Sequence, residues 1–157
     1  MLYDLIIIGA GPAGLTASIY ASRYRIKNLV IGSQLGGAMA LASAVENYPG
    51  FERISGLELA QKMAQQVKEL GAEIINDSVV KIQNSIRQPA DKIQNKSKIQ
   101  SASRRTKFKI ITEGGKEYQA RAIILATGTR RRELGVPGEK EYLGKGCLLY
   151  TSPSPRD

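Results

Sequence analysis

The stretch that decides the fold is residues 2–15, which reads LYDLIIIGAGPAGL. It opens on a run of large apolar residues, 5–8, which is typical of a parallel strand buried on both faces. Glycines with the spacing G-x-G-x-x-G follow at once, and Ala13–Tyr24 then has the pattern of a helix. A strand, a tight glycine turn and a helix in direct succession predict a diphosphate-binding turn for a dinucleotide. The alternative is a strand–turn–helix unit that binds no ligand.

Each glycine of this motif has its own physical task. Gly9 permits the turn, Gly11 lets a diphosphate approach the backbone because it has no Cβ, and Gly14 allows close packing of helix and strand. The helix N-terminus offers unpaired N–H groups and roughly half a positive charge, which suits an anion. The motif alone does not distinguish NAD, NADP and FAD.

The residues after the second predicted strand, Asn28–Ile31, bear on that choice. Many dinucleotide folds place an acidic residue at this strand end, where it binds a ribose hydroxyl. Here Gly32, Ser33 and Gln34 follow instead. The ribose contact is therefore missing or made by a different group, and the usual arrangement for NAD is disfavoured.

Composition and charge limit the classes of function. The 157 residues are enough for one domain with a core, and the net charge is +9. Much of that charge lies in residues 81–109, which contain nine basic side chains and one acidic one, Asp91. The stretch is rich in Ser, Gln and Asn with few aromatic residues, so we expect a solvated loop rather than a surface that binds nucleic acid. The single cysteine excludes an internal disulfide and a redox pair within the chain.

Targeting and membrane signals are not apparent in the sequence. No apolar run approaches the roughly 18 residues of a membrane span. The apolar residues near the N-terminus belong to the first strand, and they lack the basic leader and cleavage site of a signal peptide. We expect a cytoplasmic protein without membrane contact.

The remaining elements predict an α/β fold. Ser55 and Glu58 have the spacing of a capping box, and Leu59, Met63, Val67 and Leu70 then recur on one face of a helix that Gly71 ends. Short strands are predicted at 72–76 and 79–82, a hairpin at 107–112 and 117–120, and a buried strand at 121–126. The last strand ends in small residues, and such ends border the ligand crevice of open α/β sheets.

Several motifs together resemble one family. In chain order they are GAGPAG, GG followed by VENYPGF, ISGxEL, IILATGT, and LGVPGE with GKG. This series resembles the bacterial low-molecular-weight thioredoxin reductases, which are flavoproteins of the pyridine nucleotide-disulfide oxidoreductase family. The resemblance covers residues 1–146, apart from a basic insert at about 87–105. It implies a Rossmann-like FAD-binding domain, with a parallel central sheet, helices and an antiparallel hairpin or meander.

The resemblance also implies which residues contact FAD. The matching positions lie in the first glycine turn, in the loop after the second strand, at two single positions, and at the last strand end. They are Gly9, Gly11, Ala13 and Gly14; Gly32, Ser33, Gly36, Gly37 and Ala38; Asn47 and Val79; and Ala126, Thr127 and Gly128. Of these, Asn47 matches an asparagine near the flavin ring, and Val79 matches a position near the adenine. No catalytic residue and no metal ligand is expected among residues 1–146.

One position departs from the family pattern. The family usually has G-G-Q, whereas this chain has Ala38 after Gly36 and Gly37. Because the amide is a hydrogen-bonding group, its loss implies that FAD is held less tightly or differently.

The C-terminal residues depart more strongly. In the family a C-A-T-C type dithiol follows the G-x-G, but here Gly146 is followed by CLLYTSPSPRD. That string resembles the translation of a sequencing adaptor, so we hypothesise that residues 147–157 are not native and that the reading frame is truncated. The alternative is a genuine Ser/Pro-rich tail. On the first hypothesis the dithiol, the NADPH domain and the segment that completes the FAD domain are missing, so the sheet and the flavin pocket are incomplete and FAD is retained partly or not at all.

Sequencing the source DNA beyond codon 146 tests this hypothesis. We expect a continuation that encodes a C-x-x-C motif and lacks the adaptor-like codons. A reproducible CLLYTSPSPRD tail in genomic DNA would contradict it.

The resemblance implies an activity for the parent protein. It would pass electrons from NADPH through FAD to a cysteine pair and on to thioredoxin, as a homodimer. Two alternatives stay open: a ferredoxin–NADP reductase of similar fold, and a non-catalytic nucleotide-binding module. A nucleic-acid partner for the basic insert is less expected than either.

Overall fold

The computed structural model describes residues 2–84, 108–129, 135–139 and 141–142. The predicted basic loop at 87–105 and the predicted non-native tail at 147–157 lie outside the described residues. The described elements, in chain order, are β1 (Leu2–Ile8), α1 (Pro12–Arg23), β2 (Asn28–Ile31), a 3-10 helix (Gly37–Leu41), α2 (Gly56–Glu69), β3 (Glu73–Ile75), β4 (Val79–Asn84), β5 (Phe108–Thr112) and β6 (Glu117–Leu125).

A single six-stranded sheet organises these elements. Its strand order is β3-β2-β1-β6-β5-β4. The first four strands in this order are parallel, with Ile7 of β1 between Val30 of β2 and Ile124 of β6. Strand β5 pairs antiparallel with both β6 and β4. The predicted α/β class, a parallel sheet with helices and an antiparallel meander, is confirmed.

Both faces of β1 are buried, as its apolar sequence predicts. Leu5 and Ile7 pack with Val30 and with Ala21 of α1. Ile6 and Ile8 point to the opposite face, because successive side chains of a strand alternate. There they join a second cluster to which β5 contributes Ile110. The cluster on this face therefore extends from the parallel strands to the antiparallel strand β5.

Helix α2 begins where the capping signal predicts. The Ser55 Oγ accepts a hydrogen bond from the Glu58 N–H at 3.2 Å. The buried face of the helix includes Leu59, Met63 and Val67, which pack in the same cluster as Leu15 of α1. Leu70, predicted to lie on this face, is instead 37% exposed, because it follows the last helical residue and the chain turns away there. No helix in the described part of the chain is long and apolar enough to cross a membrane.

Strand β6 differs from its prediction in extent and in burial. The hairpin arm at 117–120 and the strand at 121–126 are one continuous strand, Glu117–Leu125. It pairs with β5 through its first half and with β1 along almost its whole length. Its C-terminal end is less buried than its apolar sequence predicts, since Ile124 is 38% and Leu125 is 64% exposed.

A buried polar network joins α1 to the start of β2. The Ser18 hydroxyl donates to Asn28 Oδ1 at 2.5 Å, and the Asn28 amide donates to Ser22 Oγ at 2.8 Å and to the Ile26 carbonyl at 3.0 Å. Ser18 is fully buried and Asn28 is 4% exposed. Since a buried polar group without a partner is costly, this network fixes the position of the helix over the sheet.

We expect Ser18→Ala to lower the free energy of unfolding by about 1–3 kcal/mol, because Asn28 Oδ1 loses its donor inside the protein. Urea unfolding followed by circular dichroism measures the change. The control is Thr16→Ala, on the exposed side of the same helix, for which we expect a change within about 0.5 kcal/mol. Equal effects of the two substitutions would contradict the structural role of Ser18.

Candidate functional site

A cleft of about 670 Å³ lies at the carboxyl ends of the parallel strands. Its walls are formed by the segments that follow four strands and by the start of the 3-10 helix. These segments are 9–13 after β1, 32–34 after β2, 77–79 after β3, 126–129 after β6, and 37–39 in the 3-10 helix. Parallel strands end at one edge of the sheet, so the topology brings these distant segments together.

The turn after β1 requires glycine at its first position. Gly9 has a φ of +118°, and a Cβ there would lie 2.1 Å from the carbonyl oxygen of Ala126. The Gly9 N–H donates to Ile31 O at 2.7 Å, and the Ala126 N–H donates to Ile8 O at 2.8 Å. The backbones of β1, β2 and β6 therefore converge at this turn too closely for any side chain.

The other two glycines of the motif differ in what surrounds them. A Cβ at Gly14 would lie 1.9 Å from the Gly9 carbonyl oxygen, so helix and strand could not pack as they do. Gly11 has an ordinary φ of −80°, and the nearest atom to a Cβ there is Gly36 O at 4.0 Å. Neither backbone conformation nor packing within the protein requires glycine at position 11. The space that a side chain would fill belongs to the cleft, as expected where a ligand approaches the backbone.

The N-terminus of α1 lines this space. Gly11 is the N-cap and makes no side-chain capping bond, and Pro12 has no N–H. The first helical bond runs from the Leu15 N–H to Gly11 O at 2.9 Å, so the N–H groups of Ala13 and Gly14 have no partner within the helix. No lysine or arginine lines the cleft in the described part of the chain. An anion held there would be bound by the backbone and the helix dipole.

The structure brings most of the predicted site residues together. Eleven of the fourteen line the cleft: Gly9, Gly11, Ala13, Gly32, Ser33, Gly37, Ala38, Val79, Ala126, Thr127 and Gly128. Of the other three, Gly14 is buried beneath the turn, and Gly36 is buried with its N–H donating to Ala10 O at 2.8 Å. Asn47 is exposed in the loop before α2 and is not among the lining residues.

The predicted site residues do not include four polar residues of the cleft wall: Gln34, Asp77, Ser78 and Thr129. Asp77 and Ser78 lie two and three residues after the end of β3. The rule that drew attention to Thr127 and Gly128, namely that strand ends border the ligand crevice, would also have pointed to them. The end of the strand predicted at 72–76 lies at this edge because β3 is parallel to β2 in the sheet.

Asp77 is held firmly in place. Its Oδ1 accepts hydrogen bonds from the Ser78 N–H at 2.8 Å and from the Gly114 N–H at 3.2 Å. A side-chain hydrogen bond with Thr112 lowers the pKa of Asp77, the two backbone N–H groups and Lys116 lower it further, and partial burial opposes them. Asp77 therefore ties the loop after β3 to the turn between β5 and β6 as a charged carboxylate.

We expect the stabilisation by Asp77 to depend on pH. Because the folded-state pKa is lower than the ordinary value of 3.8, the stabilisation is present above that value and is lost as the pH falls through the folded-state pKa. Urea unfolding of the wild type and of Asp77→Asn, repeated from neutral to acidic pH, should show a difference that disappears in acid. A difference that does not change with pH would contradict this assignment.

The fold and the cleft together define an α/β protein with the glycine turn and strand-end crevice of a dinucleotide-binding fold. Residues 3–152 match the family model described as pyridine nucleotide-disulphide oxidoreductase, and the chain belongs to this family. The predicted resemblance to thioredoxin reductases within the family is confirmed. The thioredoxin reductase of Bacillus subtilis (strain 168) is 42% identical over 146 residues, and that of Listeria monocytogenes is 40% identical over 146 residues.

Solved structures agree with these relatives. Thioredoxin reductase from Lactococcus lactis superposes with a TM-score of 0.69 at 39% identity, over 89% of this chain and 40% of that one. The enzyme from Streptococcus pyogenes superposes with a TM-score of 0.70 at 37% identity, over 90% of this chain and 40% of that one. The Bacillus and Listeria matches cover 92% of this chain and 40% of each relative. The chain thus spans about 40% of the length of these proteins.

Proposed function

We propose that the cleft binds FAD. The observation that carries the proposal is the space beside Gly11, where a Cβ would meet no protein atom closer than 4.0 Å, next to the first-turn N–H groups of α1. A diphosphate is the group that such a turn accepts, because it can approach bare backbone and take several N–H bonds at once. The resemblance to thioredoxin reductases, in which this domain holds FAD, and the lack of an acidic residue directly after β2 favour a flavin over a nicotinamide dinucleotide at this turn.

The roles of the cleft residues follow from their positions. Gly9, Gly11 and Ala13 would hold the diphosphate, and the segments after β2 and β3 would hold the adenosine half. Ala126–Gly128, at the end of β6, would border the opposite side of the cofactor. Ala38, which lies in the cleft wall, offers no amide where the family usually has glutamine, so FAD would be held more weakly on that side.

For the whole protein we propose NADPH-dependent reduction of thioredoxin. Its support is the series of thioredoxin reductases with 40% to 42% identity to this chain. When bound, FAD supplies the redox chemistry, and residues of this chain hold and orient it. The dithiol, the NADPH-binding region, a homodimeric assembly and a cytoplasmic location are further parts of this proposal. They rest on the resemblance of the chain to the family.

A related flavoprotein that reduces a different acceptor is the second candidate. The single cysteine, Cys147, cannot form a dithiol within the given sequence. The matched residues therefore do not separate the two activities. In the full-length protein, NADPH should bleach the flavin spectrum in either case, but only a thioredoxin reductase should then reduce a thioredoxin disulfide. Flavin reduction without that second step would favour the alternative.

We expect Gly11→Ala to weaken FAD binding by about tenfold or more, equivalent to about 1.4 kcal/mol, because the added methyl group occupies the space of the diphosphate. Stability to urea should change little, since the backbone there is ordinary and the site is open. Flavin fluorescence and absorbance titrations measure the affinity.

Gly14→Ala is the matched control for this prediction. Its methyl group would collide with the Gly9 carbonyl oxygen inside the protein, so we expect a loss of stability. If Gly11→Ala bound FAD as tightly as the wild type, or if the full-length wild-type protein bound none, the proposed site would be wrong.

A further inference from the structure

The end of β2 has no acceptor for a ribose hydroxyl. Position 32, the first after the strand, is glycine, and a Cβ there would lie 2.5 Å from the Ala10 nitrogen and 2.8 Å from the Ala10 Cβ. The backbone of the first turn therefore excludes an acidic side chain at this position. Ser33 and Gln34 follow, and both are exposed and uncharged. A nucleoside in the cleft would have to find its charged acceptor on another element.

The neighbouring strand supplies one. Strand β3 runs parallel to β2 with Ile75 opposite Ile31, and the Gly32 N–H donates to Ile75 O at 3.0 Å. The two strands therefore end side by side at the same edge. Asp77, two residues beyond β3, lines the cleft, and it is the only acidic side chain among the lining residues that the structure describes.

We propose that Asp77 binds a ribose hydroxyl of the adenosine half of the ligand and so replaces the missing acidic residue at the end of β2. This inference rests on the proposed binding of an adenine dinucleotide. It gives Asp77 a role in cofactor recognition in addition to its structural hydrogen bonds.

The chemistry of the carboxylate suits this role. An ionised carboxylate has about four acceptor positions on its two oxygens. Two are taken on Oδ1 by the N–H groups of Ser78 and Gly114, and the hydrogen bond with Thr112 takes a third, so about one position is left for a ribose hydroxyl. Ribose hydroxyls are donors, and a hydrogen bond to a charged acceptor is stronger than one between neutral groups. Because the backbone bonds already hold the carboxylate, little conformational entropy would be lost when the ribose binds.

The test compares ADP with 2′-deoxy-ADP, which lacks one ribose hydroxyl. Isothermal titration calorimetry with the wild-type chain should give an affinity for ADP about tenfold higher than for the deoxy compound, the value of one charge-assisted hydrogen bond. In Asp77→Asn this ratio should fall below about twofold, because the amide oxygen is neutral and already accepts the backbone bonds. A purely structural Asp77 would weaken both ligands equally and leave the ratio unchanged.

Two further variants keep the result specific. Glu113→Gln removes a nearby exposed carboxylate that does not line the cleft, so we expect the wild-type ratio. Ser33→Ala removes the rival hydroxyl at the end of β2; because Ser33 lines the cleft, we expect both affinities to fall together and the ratio between them to stay that of the wild type.

The outcomes separate this inference from the proposal on which it rests. The wild-type protein could bind FAD and also bind ADP and 2′-deoxy-ADP with equal affinity. That result would overturn the role of Asp77 but not the proposed FAD site. If the preference for ADP over 2′-deoxy-ADP were lost in Ser33→Ala and kept in Asp77→Asn, the ribose hydroxyl would bind Ser33. That result would overturn the inference. If the full-length wild-type protein bound neither FAD nor ADP, the proposed function would fail, and the inference with it.

Discussion

The contact on which the rest of the structure depends is the approach of three backbones at Gly9. The Ala126 carbonyl oxygen, at the end of β6, occupies the place where a Cβ would be, and the Gly9 carbonyl oxygen occupies the corresponding place at Gly14. These two approaches set the distance between β1 and the end of β6 and between β1 and α1. Because both rely on missing side chains, the N-terminus of α1 comes to lie directly above the strand ends. The cleft exists because of this close packing.

A consequence is that the cleft is built mainly from backbone. Its described lining contains several glycines and alanines, no basic side chain and one acidic side chain. Binding of an anion there relies on main-chain N–H groups and on a helix dipole, which substitution of individual side chains cannot remove. Asp77 is the exception, and it lies on a loop that its own hydrogen bonds fasten to the β5–β6 turn. Among the described lining residues, recognition by a charged side chain is therefore confined to Asp77.

The local elements were predictable because their signals are local. Alternation and apolar runs locate β1 and β2, and Ser55 with Gly71 marks the two ends of α2. The predictions were wrong where contacts with residues distant in sequence determine the structure. Leu70 fits the helical period but follows the last helical residue, so it does not reach the core. The prediction of two strands at 117–120 and 121–126 was wrong because they form one strand, β6. This strand pairs with β5 on one edge and with β1 on the other, and the sequence does not show which edges are paired.

The sequence by itself determined the α/β class, the glycine turn and most of the cleft residues. The reason is that the order strand, turn, helix and the spacing of the glycines are patterns of residues that are close together in sequence. It did not determine which glycines serve the protein and which serve a ligand. Only the tertiary structure distinguishes Gly9 and Gly14, whose missing side chains make room for the chain itself, from Gly11, whose missing side chain leaves open space. It alone also places Asp77 beside the end of β2, since the two positions lie 45 residues apart and meet only because β2 and β3 are paired in the sheet.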